Sequence, residues 1–231
     1  MSHTDDRFRQ VVSRLRRLDV CAVSDALDRL RADGVEGGHV VPQVARRSGE
    51  GLLAGQVVTM RLGVGAPPPG PPRHLGTTAI EASGPDNVIV VEQRSGLDAG
   101  CWGGLLSLAA KVHGVAGVVA DGPVRDIDEA RAYSFPIFSR ALTARTARGR
   151  VVELECRGPV TVFDAPVNDG DYLIADESAV VFLAAATVDT VLDTAETIAS
   201  REAAMARAIL KGTPVSEVMG GAYEHMLEKN T

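Results

Sequence analysis

The six residues Val115-Ala-Gly-Val-Val-Ala120 contain no polar side chain, and helical patterns flank them, Gly100–Gly114 before and Asp121–Tyr133 after. A strand with one wet face alternates apolar and polar residues; one without alternation is buried on both faces, as in a parallel sheet covered by helices. The chain therefore reads as α/β. The later strand candidates, Pro136–Ser139, Val151–Cys156, Val160–Phe163, Tyr172–Ala175 and Val180–Leu183, are joined by connections too short for crossovers. Several of them must pair antiparallel, which makes the sheet mixed.

Helices are expected to flank that sheet. Phe8, Val11, Val12, Leu15 and Leu18 recur at three and four, which predicts an amphipathic helix over about residues 5–18. Ser24 reads as the N-cap of a short helix through Leu30, and Gly34–Gly51 as a loop-rich stretch. Val57–Leu62 predicts a strand, the proline-rich run after it a surface loop, Thr77–Ser83 a helix and Asn87–Glu92 a strand. A last helix is expected over about residues 188–211, where Gly212 and Pro214 stop it. Glu202 falls on its apolar stripe, where a carboxylate needs a partner, a metal or solvent at a subunit boundary. With 231 residues and no composition shift, residues 1–231 are expected to form one domain.

Several function classes are disfavoured. A formal net charge of -6 opposes binding by phosphate neutralisation, so no nucleic acid is expected as a partner. Cys21, Cys101 and Cys156 form no C-x-x-C pair, the N-terminus is polar, and no apolar run reaches membrane-spanning length. A reducing cytoplasm without a membrane partner is the expectation. The five histidines lack zinc-ligand spacing, and no G-x-S-x-G elbow presents a serine nucleophile. Lys111 reads as a helix-surface lysine rather than a Schiff-base former, Trp102 as a packing anchor and Cys101 as an inert buried thiol.

What remains is the segment leaving the buried strand. In open α/β sheets ligands gather beyond the carboxyl ends of strands. There Asp121, Arg125, Asp126, Asp128 and Glu129 place four carboxylates and a guanidinium within nine residues, beside Gly122-Pro123, read as a turn that lets backbone approach a ligand. Arginine clamps a carboxylate through two parallel hydrogen bonds, and oxygen ligands suit Mg²⁺ or Mn²⁺. A second reading stays open, because Asp126-x-x-Glu129 also has capping-box spacing. Gly103 and Gly104 at the preceding helix start can expose backbone N–H groups to an anion.

Residues 102–138, centred on DGPVRD, closely resemble the core of the RraA-like proteins, which include the class II 4-hydroxy-4-methyl-2-oxoglutarate aldolases. VSDALDRL (Val23–Leu30) and PVNDGDYLIADESAVVFLA (Pro166–Ala184) resemble flanking parts of the same family. The resemblance implies a swivelling β/β/α fold and a homotrimer or hexamer with sites between subunits. It implies that Asp126 faces a Mg²⁺ or Mn²⁺ ion and Arg125 binds a 2-oxo acid. The N–H groups of Leu105 and Leu106, beside Gly103 and Gly104, would then cradle the substrate carboxylate. It assigns Glu202 to the site of an adjacent subunit.

The implied activity is metal-dependent carbon–carbon cleavage, either aldol cleavage of a 4-hydroxy-2-oxo acid or oxaloacetate decarboxylation, by an enolate route that yields pyruvate. One position departs from the aldolase pattern of an acid, twenty residues, then Arg-Asp: the acid is replaced by Gly104. A glycine cannot organise water or move a proton, so decarboxylation should survive the loss better than aldol cleavage unless Asp121, Glu129 or a substrate group substitutes, or Gly104 makes room for a larger substrate. The alternatives are a non-catalytic regulator resembling the ribonuclease-inhibiting RraA proteins, which depart from the Arg-Asp pair, and an enzyme of a specialised pathway with an unrelated substrate.

Overall fold

The computed structural model describes residues 3–71 and 73–220. Helices α1 (His3–Leu15) and α2 (Val20–Ala32) precede β1 (Gly38–Pro42), β2 (Ala45–Ser48) and the long β3 (Leu53–Gly63). Then α3 (Thr77–Glu81) leads to β4 (Asn87–Gln93), α4 (Gly104–Val112) to β5 (Gly117–Val124), and α5 (Ile127–Ala132) to β6 (Ile137–Leu142). After these come β7 (Val152–Cys156), β8 (Val160–Val162), β9 (Ala165–Val167), β10 (Tyr172–Ala175), β11 (Ala179–Leu183), α6 (Val188–Leu210) and the short α7 (Val215–Val218).

The main sheet runs β1-β11-β10-β3-β4-β5-β6-β2, with β7 paired to the far half of β3. β3, β4, β5 and β6 are mutually parallel, because α3, α4 and α5 supply the crossovers that parallel neighbours need. The flanking pairs are antiparallel. The sheet is thus mixed, as the connection lengths require.

Alternation along the strands assigns each side chain to a layer. Val58, Met60, Ile89, Val91, Val118 and Ala120 pack under Ile80, Trp102, Leu106, Ala110 and Ala130 of the crossover segments. The intervening Val57, Val88, Val90, Val119 and Phe138 face the opposite side, where the β8–β9 hairpin covers them with Val160, Val162, Ala165 and Val167. At the antiparallel end, Tyr172, Ile174, Val181 and Leu183 meet α1, α2 and α6 through Val12, Leu15, Ala26, Val191 and Ile198. A small sheet, a large sheet and a helical layer stack in that order. Both faces of the central strands are dry, which accounts for their lack of polar alternation.

Three local expectations change. The second helix begins at Val20 and is capped by Asp19, whose carboxylate accepts from Ala22 N at 2.8 Å; Ser24 lies within it. The loop-rich stretch 34–51 contains β1 and β2, each paired on one side only. Such edge strands bury little, and the sequences GHVVP and ARRS show no apolar run for periodicity to detect. β5 also continues through Asp121, Gly122 and Pro123 to Val124, with a register shift between Ala120 and Pro123. Gly122-Pro123 is therefore part of a bulged strand rather than a turn, and a Cβ at Gly122 would press on Gln93 and on Cys101 Sγ.

Candidate active site

The carboxyl end of β5 is stitched to the start of α4. Cys101 N donates to Pro123 O at 2.8 Å, Arg125 N donates to Trp102 O at 2.9 Å, and Trp102 bridges Val124 in parallel register. Trp102 is the anchor of this junction: its ring is buried and its Nε1 donates to Ser107 Oγ at 3.1 Å, which in turn donates to Gly103 O at 2.9 Å. Cys101 is buried beside it, and burial pushes its thiol up to about 12, so it is inert at neutral pH. Lys111 lies exposed on the helix surface.

Asp126 follows in a left-handed backbone conformation, φ 54 and ψ 39, at the N-cap position of α5. Aspartate is one of the few residues that tolerates this region. Its side chain makes no capping bond to α5. It turns back instead, accepting from Gly104 N at 3.2 Å and from Arg125 Nε at 3.1 Å. The capping-box spacing is thus not used as a capping box, and the Asp126 carboxylate faces the start of α4.

The glycines around it act differently from the sequence expectation. A Cβ on Gly100 would meet Arg125 Cδ and Cγ, one on Gly103 would meet Asp126 Oδ2 and Arg125 Cγ, and one on Gly104 would fall on the Glu129 carboxylate. These positions are a bed for side chains arriving from residues 125–129. The N–H groups nevertheless remain presented at the helix start, since the first helical bond here is donated by Ser107 to Gly103 O and leaves those of Leu105 and Leu106 ahead of it. Gly103 brings no capping side chain to compete for them.

These groups line a cavity of about 190 Å³ with Arg125, Asp126, Gly103, Gly104, Leu105 and Leu106 in its wall. The sequence reading did not include His74, Leu75, Ala147 or Arg148, which separate this cavity from an adjoining cleft of about 720 Å³ under the proline-rich loop. Only the tertiary fold brings those two loops to the site; neither carries a local signal for it.

Two candidate residues lie elsewhere. Asp121 is 1% exposed and points to the β8–β9 side, where it accepts from Arg140 Nε and from Phe163 N at 2.7 Å. It cannot replace an acid at position 104. Asp128, for its part, is exposed and pairs with Arg131 at 3.0 Å.

Glu202 is not brought to the cavity of its own chain. Burial raises its carboxyl above the ordinary glutamate range, and Asp19 and Asp25 add to the rise. A raised folded-state value means stability falls as pH climbs through and above the usual glutamate range near 4. Glu202→Gln in metal-stripped protein is therefore expected to raise Tm at pH 7 and to leave it unchanged below about pH 4. Equal melting of the two proteins across that range would show that Glu202 carries no such penalty.

The fold and this junction define an α/β protein with an arginine–carboxylate corner facing a helix N-terminus. A family model described as RraA-like, Aldolase/RraA, matches residues 20–182, and the chain belongs to the RraA-like family. Its sequence is 29% identical over 147 residues to a 4-hydroxy-4-methyl-2-oxoglutarate aldolase of Thermus thermophilus, covering 63% of this chain and 85% of that one. Protein DlpA of Legionella pneumophila is 24% identical over 92% of this chain, which spans 34% of that relative's length. Among solved structures, an uncharacterized protein from Pseudomonas syringae pv. tomato superposes with a TM-score of 0.77 at 24% identity, over 92% of this chain and 98% of that one. RraAS2 of Streptomyces coelicolor, described as an unusual member of the RNase ES inhibitor RraA family, superposes with a TM-score of 0.68 at 22% identity, over 84% and 93%.

Proposed function

We propose that the chain is a divalent-metal-dependent carbon–carbon lyase acting on a short 2-oxo acid. The observation that carries this reading is the convergence of Arg125, Asp126 and the α4 N-terminus on one cavity. Arg125 spends its Nε on Asp126, and among the described residues its Nη groups have no protein partner. That free edge suits a substrate carboxylate, and the N–H groups of Leu105 and Leu106 at the positive end of α4 add donors to it.

Among the described residues no group of three or more His, Cys, Asp or Glu converges as a ready-made metal cage. Mg²⁺ sites commonly use only one or two protein carboxylates with water and substrate completing the shell, and the Asp126 carboxylate at the cavity wall fits that pattern. A bound Mg²⁺ or Mn²⁺ would supply Lewis-acid polarisation of the 2-oxo group. Arg125 orients the acid beside it, and Trp102 holds the junction rigid. Leu105, Leu108 and Val112 form an exposed apolar stripe on α4 beside the cavity, a surface that the proposed trimeric or hexameric packing would cover, bringing Glu202 of a neighbour within reach.

The test is to strip the protein of metal, add oxaloacetate or 4-hydroxy-2-oxo acids of increasing length, and follow pyruvate release on return of Mg²⁺ or Mn²⁺. Metal-dependent release is expected, with kcat/KM rising for longer acids because the adjoining cleft of about 720 Å³ leaves room for them. No release from any of these acids would remove the lyase reading. It would leave the regulator resembling RraAS2, which would be recognised by a protein partner.

A further inference from the structure

Gly104 is the first residue of α4, and the volume a side chain would occupy there is already filled. An ideal Cβ at that position would collide with Glu129 Oε2 and Cδ and crowd Asp126 Cβ at 3.1 Å. The colliding group is the end of a flexible side chain that comes from another helix, not fixed backbone. Among the described residues the Glu129 carboxylate has no hydrogen-bond or ion-pair partner. The residue is exposed, yet its carboxylate is laid over the start of α4, beside Asp126, the carboxylate that lines the cavity. Arg125 pairs with Asp126 and not with Glu129.

We propose that Glu129 is the second carboxylate of this site, delivered from α5 into the space of a side chain at position 104, and that with Asp126 it holds the divalent ion. The proposal rests on the metal-dependent reading above. It explains why position 104 is glycine: an acid there and Glu129 where it stands are mutually exclusive. Oxygen ligands from two carboxylates match the usual protein share of a Mg²⁺ or Mn²⁺ shell, and a doubly charged cation would supply the partner that the Glu129 carboxylate lacks among the described residues.

The exclusivity yields a test that a purely structural role for Glu129 would not satisfy. Binding of Mn²⁺ to the metal-stripped full chain is measured from the electron paramagnetic resonance of the free ion, with thermal melting as a folding control. Native protein is expected to bind Mn²⁺ stoichiometrically. Glu129→Gln should weaken binding by about tenfold or more. Gly104→Ala, which leaves every carboxylate in the chain but evicts Glu129 from its place, should weaken it similarly. Gly104→Asp evicts Glu129 too but brings its own carboxylate, so it should bind within about threefold of native, as should Gly104→Asp combined with Glu129→Ala.

If Glu129→Gln and Gly104→Ala bind Mn²⁺ like the native chain while Asp126→Asn does not, the role of Glu129 is overturned and the metal reading stands. If the native chain binds no Mn²⁺, both fall together.

Discussion

Alanine in place of Asp126 is expected to lower metal-dependent pyruvate release by about a thousandfold, the scale of losing a group that stabilises charge only as the reaction proceeds. The same variant should cost about 1 kcal/mol of stability, because residue 126 sits at φ 54, where alanine is strained and aspartate or asparagine is not. Asp126→Asn separates these effects. It keeps the left-handed backbone and an acceptor for Gly104 N while removing the charge, so it should melt like the native protein and yet be inactive. Arg125→Lys should act on KM, raising it about tenfold or more, since a single ammonium cannot reproduce the paired Nη edge. Native turnover in Asp126→Asn would show that no ionised carboxylate is needed at this corner.

The parts of the fold that were legible in the sequence are those with a long or unbroken apolar pattern. The apolar stripe predicts the final helix over about residues 188–211 and α6 spans Val188–Leu210, because that stripe buries Val191, Leu192, Ala195 and Ile198 at helical spacing. β3, β4 and the start of β5 were legible because both faces of these strands are covered, leaving no polar alternation to mislead. β1 and β2 were not, since a strand paired on one edge need not bury anything. The tail of β5 was missed for a sharper reason. Gly122 and Pro123 are breakers in most strands, but here they accommodate a bulge.

That single miss had a consequence at the site. With β5 ended at Ala120, Asp121 looked like the first residue of a ligand loop; within a strand, the alternation that turns Ala120 toward α4 turns Asp121 to the other face. Arg125 and Asp126 were identified from their own residues and from the family pattern, and the fold brings both to one cavity. For the acid missing at position 104 the sequence leaves Asp121, Glu129, a substrate group and a larger substrate open, and the choice among them needs the fold, which turns Asp121 away and lays the Glu129 carboxylate where a side chain at Gly104 would stand. No local spacing rule connects Gly104 with Glu129; they meet only because α4 and α5 pack together in the fold.

The position of Asp121 leads to the largest expected change in stability. The carboxylate is 1% exposed and accepts from Arg140 Nε and from Phe163 N at 2.7 Å, with Arg94 Nε at 3.8 Å. Phe163 and Asp164 both have positive φ, 49 and 67, so the turn between β8 and β9 is of the kind that favours glycine or asparagine and must be held in place. Asp121 provides that hold from the strand beneath it. Asp121→Ala leaves the Phe163 N–H unpaired and frees a strained turn, whereas Arg140 and Arg94 are about half exposed and can turn to water. The expected loss is therefore about 2–3 kcal/mol, mostly from the amide and the turn rather than from the ion pairs. For a chain of this size that corresponds to a Tm lower by about 4–12 °C. Asp121→Asn, which keeps an acceptor for the amide, should lose less than half as much, and Arg140→Ala less than about 1 kcal/mol. Because the side chain faces away from α4, the folded fraction of Asp121→Ala should bind Mn²⁺ as the native chain does. A variant that melts normally but loses Mn²⁺ would instead place Asp121 at the metal and contradict the direction in which the strand points it.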